Sequence, residues 1–377
     1  PAMPTPESTD VLIVGGGAIG LSIAYQLAGD GVTVRLVERG EVGRQASWAG
    51  AGILPPGSWF SSDPAMDAPA AVSRTLHARW SDQLREETGI DDEYDECGAF
   101  YATNLGLTAE RASHLKERLD AWEQIGISAE QVDGGPTTGS AAAEGFFVAG
   151  EAQVRNPRRV KALAAACEHR GVRIDRNADV EGFRVVGDRI ESVLTTAGDF
   201  AAGSVCLAAG AWTGQLCGRV GFEAPIRPVR GQMVLLRAAS RPFRHILHAG
   251  GSYLVPRRDG RVLVGATVEE GGFDTTIEAR DTEALVAFAR AAAPCLAGAT
   301  VEAAWAGLRP ASGDGLPIIG PLPGFANGWI ATGHYRSGLQ FSPATAVVMS
   351  ELLRGEPPSF DIAAFDACRF LASPAVS

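Results

Sequence analysis

Six cysteines in 377 residues, Cys97, Cys167, Cys206, Cys217, Cys295 and Cys368, form no CxxC pair and no other metal-ligand spacing, so no metal site is expected. The N-terminus lacks the basic, apolar and small-residue succession of a secretory signal. Reduced thiols in a cytoplasmic protein follow as the expectation. Positive charge is also scarce, with 33 Lys and Arg against 44 Asp and Glu and a net charge of −11. Arg227, Arg230, Arg257 and Arg258 are scattered among strand-like residues rather than gathered in a stripe, which excludes a general nucleic-acid binder. One uncharged run, Val11 to Gly29, approaches membrane-spanning length. It contains five glycines, follows Glu7 and Asp10 and has no basic flank, so no integral membrane segment is expected. No long linker or internal repeat divides the chain. The first nine residues, rich in Pro, Thr and Ser, read as a loose lead-in.

What is present is core and a motif. With 46% hydrophobic and 20% charged residues, the chain suits two closely packed domains with a charged surface. Val11-Leu12-Ile13-Val14 is a short apolar strand ending in Gly15-Gly16-Gly17-Ala18-Ile19-Gly20. A helix-like segment follows to Gly29, and then a second strand, Val32 to Val37, closed by Glu38. Gly15 permits a tight turn, and Gly17 lets a pyrophosphate approach the helix N-terminus at Ala18 and Ile19. Gly20 lets helix and strand pack closely, and Glu38 can hold ribose hydroxyls. Strand, turn, helix and acid together indicate a site for an ADP-containing dinucleotide.

Beyond Glu38 runs a connection of small residues, Gly43 to Gly52, against whose backbone something is expected to pack. Arg74 to Glu87 and Ala109 to Ile125 read as helices, the second with core positions Leu115, Leu119, Trp122 and Ile125. Asn156-Pro157 supplies an N-cap and a first-turn proline for a helix through Arg170. Short strands follow around Arg173, Phe183 and Val193, then a buried strand over Ser204 to Gly210. Gln232 to Arg237, Tyr253 to Pro256 and Arg261 to Gly265 read as an antiparallel sheet. A helix from Asp281 to Ala293, a loop bearing Trp305 to Gly320, a strand near Trp329 and a helix from Pro343 to Arg354 complete the chain.

Three further blocks carry a resemblance: Trp305-Ala306-Gly307-Leu308-Arg309-Pro310, Asp314-Gly315-Leu316-Pro317-Ile318-Ile319-Gly320 and Gly333-His334-Tyr335-Arg336-Ser337-Gly338. Together with the N-terminal glycines, Ala209 to Gly214, Tyr253 to Arg257 and Val264 to Thr267, they resemble the FAD-dependent D-amino-acid oxidase family, and within it the glycine oxidases of thiamine biosynthesis. The similarity runs in order from Val11 to Arg354. It implies an α/β and α+β protein in which a Rossmann-like FAD-binding domain carries an inserted antiparallel-sheet substrate domain. Residues 10–80, 150–220 and 305–360 would form the first and residues 81–149 and 221–304 the second.

By matching position, the resemblance implies that Gly15, Gly17, Ala18, Ile19, Gly20, Glu38 and Arg39 hold the ADP half of FAD. Ser47, Ala51 and Gly52 would line the pyrophosphate and flavin, Val180 the adenine, and Ala209, Gly210 and Trp212 the cofactor's flank. Gly307, Gly333, His334, Arg336, Ser337, Gly338, Leu339 and Gln340 would face the ring. The FAD would be noncovalent, because Gly307 and Leu308 stand where relatives with covalent flavin have a cysteine. Arg309, Tyr253 and Arg336 would fix a substrate carboxylate, since a guanidinium gives bidentate hydrogen bonds and a phenol adds one. His334 is expected to be structural, as hydride transfer in this family needs a neutral amine and positioning but no obligatory side-chain base. His245 and His248 lack metal-ligand spacing.

Two departures bear on the substrate. Ala249 to Ser252 replaces a histidine-bearing segment and is one residue longer, and Val268 stands where a larger methionine can occur, so the pocket wall is expected to be more open. The leading expectation is oxidation of glycine or an N-substituted glycine to an imine, hydrolysed to glyoxylate and amine, with molecular oxygen reduced to hydrogen peroxide. Three alternatives accompany it: an oxidase for a larger N-substituted glycine in specialised biosynthesis, a dehydrogenase using another acceptor, and a noncatalytic nucleotide-binding redox sensor. The resemblance is also compatible with a homo-oligomer.

Overall fold

The structure is a computed structural model describing residues 9–135 and 141–371. The expected lead-in lies, through residue 8, outside the described residues. Among the described residues no helix is long and apolar enough to cross a membrane. Val11–Val14 is a four-residue strand buried along its whole length. It pairs in parallel with Val34–Glu38 on one side and Ser204–Leu207 on the other, and uniformly apolar runs of this kind belong to sheets covered on both faces. Six strands form this layer in the order Ile318–Pro321, Gly328–Thr332, Ser204–Leu207, Val11–Val14, Val34–Glu38 and Arg173–Arg176. The edge strand Ile318–Pro321 is antiparallel. On the sheet the helix Ala18–Gly29 packs against Gly338–Leu353 and Asn156–His169. Asp67–Thr88 lies against the latter two and ends at Gly89 in a left-handed turn.

The second layer is an eight-stranded sheet. Its order is Thr300–Ser312, Ile226–Arg237, Arg261–Gly265, Ser252–Pro256, Ile246–Ala249, Ala99–Ala102, Glu144–Val148 and Glu130–Asp133. All neighbours are antiparallel except Ile246–Ala249 with Ala99–Ala102. The helix Ala279–Ala292 covers one face through Leu285, Ala289 and Ala292. On the other face Leu115, Leu119 and Trp122 of the helix Ala109–Gln124 join Met233, Tyr101 and Val255 in a core cluster.

Two expectations change. Trp305 to Gly320 is not a loop: Thr300–Ser312 is a strand paired along the length of Ile226–Arg237. It is an edge strand, where Pro310 is tolerated, and its glycine and proline punctuation hid it. Asn156 is not an N-cap: Arg155 holds that position without a side-chain bond, while Asn156 Nδ2 donates to the Ser47 and Trp48 carbonyls, each at 2.7 Å.

Candidate active site

A cavity of about 890 Å³ runs between the two sheets. At one end the Val11–Val14 strand turns at Gly15, whose φ of +113° suits glycine. An added Cβ there would lie 2.5 Å from the Ala208 carbonyl oxygen. Gly20 sits so close over the turn that a Cβ would collide with the Gly15 carbonyl. Glu38 is nine-tenths buried at the end of its strand. Its Oε2 accepts the Gly16 N–H at 2.8 Å and its Oε1 the Gly40 N–H at 3.1 Å, which fixes the carboxylate and leaves lone pairs for hydroxyl donors. Gly15, Gly17, Ala18, Ile19, Glu38 and Arg39 all line this end. The Arg39 guanidinium lies 3.6 Å from the Trp212 ring centroid, and Val180, Ala209, Gly210 and Trp212 complete the wall. The Val180 carbonyl also accepts a bond from Arg219.

The small-residue connection is held from three sides. Asn156 binds the carbonyls of Ser47 and Trp48, Trp305 Nε1 donates to the Ala49 carbonyl at 2.9 Å, and Arg257 Nη2 donates to the Ala51 carbonyl at 2.7 Å. Burial lowers the Arg257 pKa to about 10. Ser47 Oγ accepts the Ala18 N–H at 2.8 Å, tying this segment to the helix N-terminus. Gly307 abuts Ala49 so closely that a Cβ would lie 2.5 Å from the alanine methyl. A long cavity with a glycine turn and helix N-terminus at one end, a fixed acid beside them and a floor of Ala49, Ala51, Gly52 and Gly307 fits FAD. Beside that floor the buried atoms His334 Nδ1 and Gln340 Oε1 have no hydrogen-bond partner among the described residues.

At the other end Arg309, Tyr253 and Arg336 line the same cavity. Arg309 extends over Gly231, where a Cβ would overlap its guanidinium, and Nη1 donates to the Arg230 and Thr267 carbonyls, each at 3.2 Å. Burial and then the Arg336 charge lower its pKa. The Tyr253 ring lies over Gly265 with its hydroxyl 3.8 Å from Met233 Sδ. Burial raises its pKa, against the opposing pull of Arg309 and Arg336, so the phenol remains a donor. Arg336 follows Tyr335, whose φ of +50° is uncommon for a residue with a side chain. The Tyr335 N–H bonds the Pro310 carbonyl at 2.8 Å, docking the turn on the strand that carries Arg309. Arg336 lies over the Phe60 ring at 5.1 Å.

Three of the expected residues do not line the cavity. Gly20 packs helix on turn, Gly333 packs against Ser312 with φ +78°, and Ser337 holds the N-cap position of the last helix without a side-chain bond while its N–H bonds the His334 carbonyl at 2.9 Å. Gly338, Leu339, Gln340 and His334 do line it. His334 Nε2 meets Thr345 Oγ1 at 2.9 Å, and burial lowers its pKa to about 3, so the ring is neutral. Ala249 to Ser252 is not a loose wall. Gly250 and Gly251, with φ of +57° and +86°, make a two-residue hairpin turn pinned by Arg111 to the Gly250 carbonyl. Val268 is half exposed at the cavity's margin. Sequence reasoning missed Trp59, Tyr101, Met233 and His248, which also line the cavity. Only the register that places His248 opposite Tyr253 brings the histidine there.

The family model described as FAD dependent oxidoreductase matches residues 10–352. Over 359 residues the chain is 38% identical to a glycine oxidase of Pseudomonas aeruginosa and 40% identical to one of Pseudomonas putida, covering in each case 95% of this chain and 98% of the relative. The crystal structure of glycine oxidase from Geobacillus kaustophilus superposes with a TM-score of 0.90 at 33% identity, covering 97% of this chain and 100% of that one. Glycine cradle, fixed acid and continuous cavity thus occur within a match that spans nearly the whole sequence, and the chain belongs to the FAD-dependent oxidoreductase family, with FAD as its cofactor.

Proposed function

We propose that this protein oxidises glycine, or a small N-substituted glycine such as sarcosine, to the corresponding imine, which water converts to glyoxylate and the free amine. One observation carries the reading: Arg309 and Arg336 stand together in the cavity, and the carboxylates lining it, Glu38 and Asp179, are at the nucleotide end. Two guanidinium groups without an acidic partner among the described residues call for an anion. Names of the relatives, glycine oxidases, support a small amino acid as that anion.

In this reading Arg309 holds the substrate carboxylate in a bidentate pair, Tyr253 donates a third hydrogen bond and Arg336 supplies a second positive charge. Tyr253 and Met233 form the wall beside the bound amino acid. Trp59 and Phe60 line the same cavity and add apolar surface to it. Bound FAD would supply the acceptor for the substrate Cα hydride and the route for its electrons to molecular oxygen, which would leave as hydrogen peroxide. Gly15, Gly17, Ala18 and Ile19 would receive its pyrophosphate and Glu38 its ribose. Rate enhancement comes chiefly from orientation, because a fixed carboxylate aims one Cα–H bond. Six free thiols, four of them buried, suit a reducing compartment such as the cytoplasm.

The test is anaerobic mixing of the yellow protein with glycine, sarcosine, longer N-alkyl glycines and amines lacking a carboxylate. Glycine and sarcosine are expected to bleach the flavin fastest, bulky N-substituents more slowly, and amines without a carboxylate not at all. Bleaching by carboxylate-free amines at a similar rate would remove the anion site from the reaction.

A further inference from the structure

Glu151 is a wholly buried carboxylate beside the cavity, at 0% exposure, that the carboxylate clamp leaves unused. Its Oε2 accepts the Tyr101 hydroxyl at 2.5 Å, and its Oε1 lies 2.7 Å from His248 Nε2. A carboxylate only accepts, so Nε2 carries the hydrogen of this bond and, in the neutral ring, Nδ1 is the bare nitrogen. The imidazole is held flat as well, stacked on Tyr101 with centroids 4.3 Å apart and planes within 11°. The bare nitrogen has no protein partner among the described residues, and the ring lines the cavity 6.4 Å, centroid to centroid, from Tyr253. A tautomer fixed by a buried acid, in a ring that lines a reaction cavity, is the arrangement of a general base.

We infer that His248 is a catalytic residue that takes a proton from the substrate amine, an assignment that rests on the glycine-oxidase reading. An amino acid reaches the site at neutral pH as an ammonium ion, whose nitrogen has no lone pair to form the C=N bond as hydride leaves the Cα. The N–H bond breaks, the Nδ1–H bond forms, the amine becomes neutral and the imidazole becomes imidazolium. No electrons change hands in this step. Glu151 stands at Nε2, away from the nitrogen that takes the proton, and the Tyr101 hydroxyl holds that carboxylate in place. The other groups around it are Tyr253 on the paired strand, Arg309 deeper in the cavity, and Arg111 and His114 from the helix Ala109–Gln124. None of these four carries a negative charge at neutral pH, so Glu151 is the carboxylate that the ring faces.

His248→Gln in the FAD-loaded enzyme tests this, since an amide can still donate to Glu151. Glycine oxidation is followed from neutral to alkaline pH, and acetate binding is read from the flavin absorbance. At neutral pH kcat/KM is expected to fall about 100-fold, with acetate affinity unchanged because the clamp is intact. Most of the loss should be regained as the pH approaches the amine's own ionisation, where substrate arrives already neutral. Glu151→Gln, which keeps the shape and removes the charge, should show a smaller loss with the same alkaline recovery, and it carries the test if His248→Gln does not retain flavin. A loss that stays constant with pH, or no loss at all, overturns the role of His248 while leaving the substrate reading in place. Failure of the unaltered enzyme to oxidise glycine or sarcosine overturns both.

Discussion

The two ends of the cavity are built from different material. At the nucleotide end the contacts come from backbone: a glycine turn, the first N–H groups of a helix and a carboxylate locked by two amides, all within residues 10–40. At the substrate end they come from side chains on three separated segments, the strands Ser252–Pro256 and Thr300–Ser312 and the turn before the last helix. A backbone site fails when an atom is added, because the room it needs is already filled. A side-chain site fails by degrees, one hydrogen bond at a time.

Gly20→Val should break the comparison hardest. Its Cβ would collide with the Gly15 carbonyl, and forcing helix and turn apart costs about 3 kcal/mol or more. Loss of bound FAD together with a lower thermal midpoint is expected, read from the flavin-to-protein absorbance ratio and a melting curve. Full flavin occupancy would show that the close approach is not needed.

Arg309→Ala should leave the flavin ratio unchanged and remove two charge-assisted hydrogen bonds to the substrate. At about 1.5 kcal/mol or more each, kcat/KM falls at least about 100-fold. Near-normal kinetics would place the carboxylate elsewhere.

Arg336→Gln removes a charge without a direct bond and also relieves the repulsion that lowers the Arg309 pKa. The two effects oppose, and a net loss of about tenfold is expected, equal to about 1.4 kcal/mol and mostly in KM. A loss as large as that of Arg309→Ala would make Arg336 an equal member of the clamp.

Tyr253→Phe keeps the ring over Gly265 and deletes one neutral donor, so about 1 kcal/mol, or roughly fivefold in kcat/KM, is expected. A change in flavin content here would erase the distinction between the ends.

The same contrast governs what the sequence revealed. The nucleotide end was legible because turn, helix and acid recur at fixed spacings along one stretch. The substrate end was legible only through family blocks, since Arg309 or Arg336 alone could be any surface arginine. Asn156 looked like a helix cap, yet its amide serves the neighbouring Ser47–Trp48 carbonyls. Glu151, Tyr101 and His248 lie on three segments with no common spacing, and nothing short of strand register brings them together.

By itself the sequence determined a short apolar strand, the glycine turn and its helix, and the acid that closes the second strand. Those features depend on residues near one another in the chain, where periodicity and φ preference act directly. Tertiary structure alone decided that Thr300–Ser312 is a strand and that the hairpin at Gly250–Gly251 is pinned by Arg111. It also placed two arginines and a carboxylate-bound histidine around one cavity. These outcomes rest on pairing partners far away in sequence, whose backbone hydrogen bonds override the local preference of a Gly-Leu-Arg-Pro stretch for a loop.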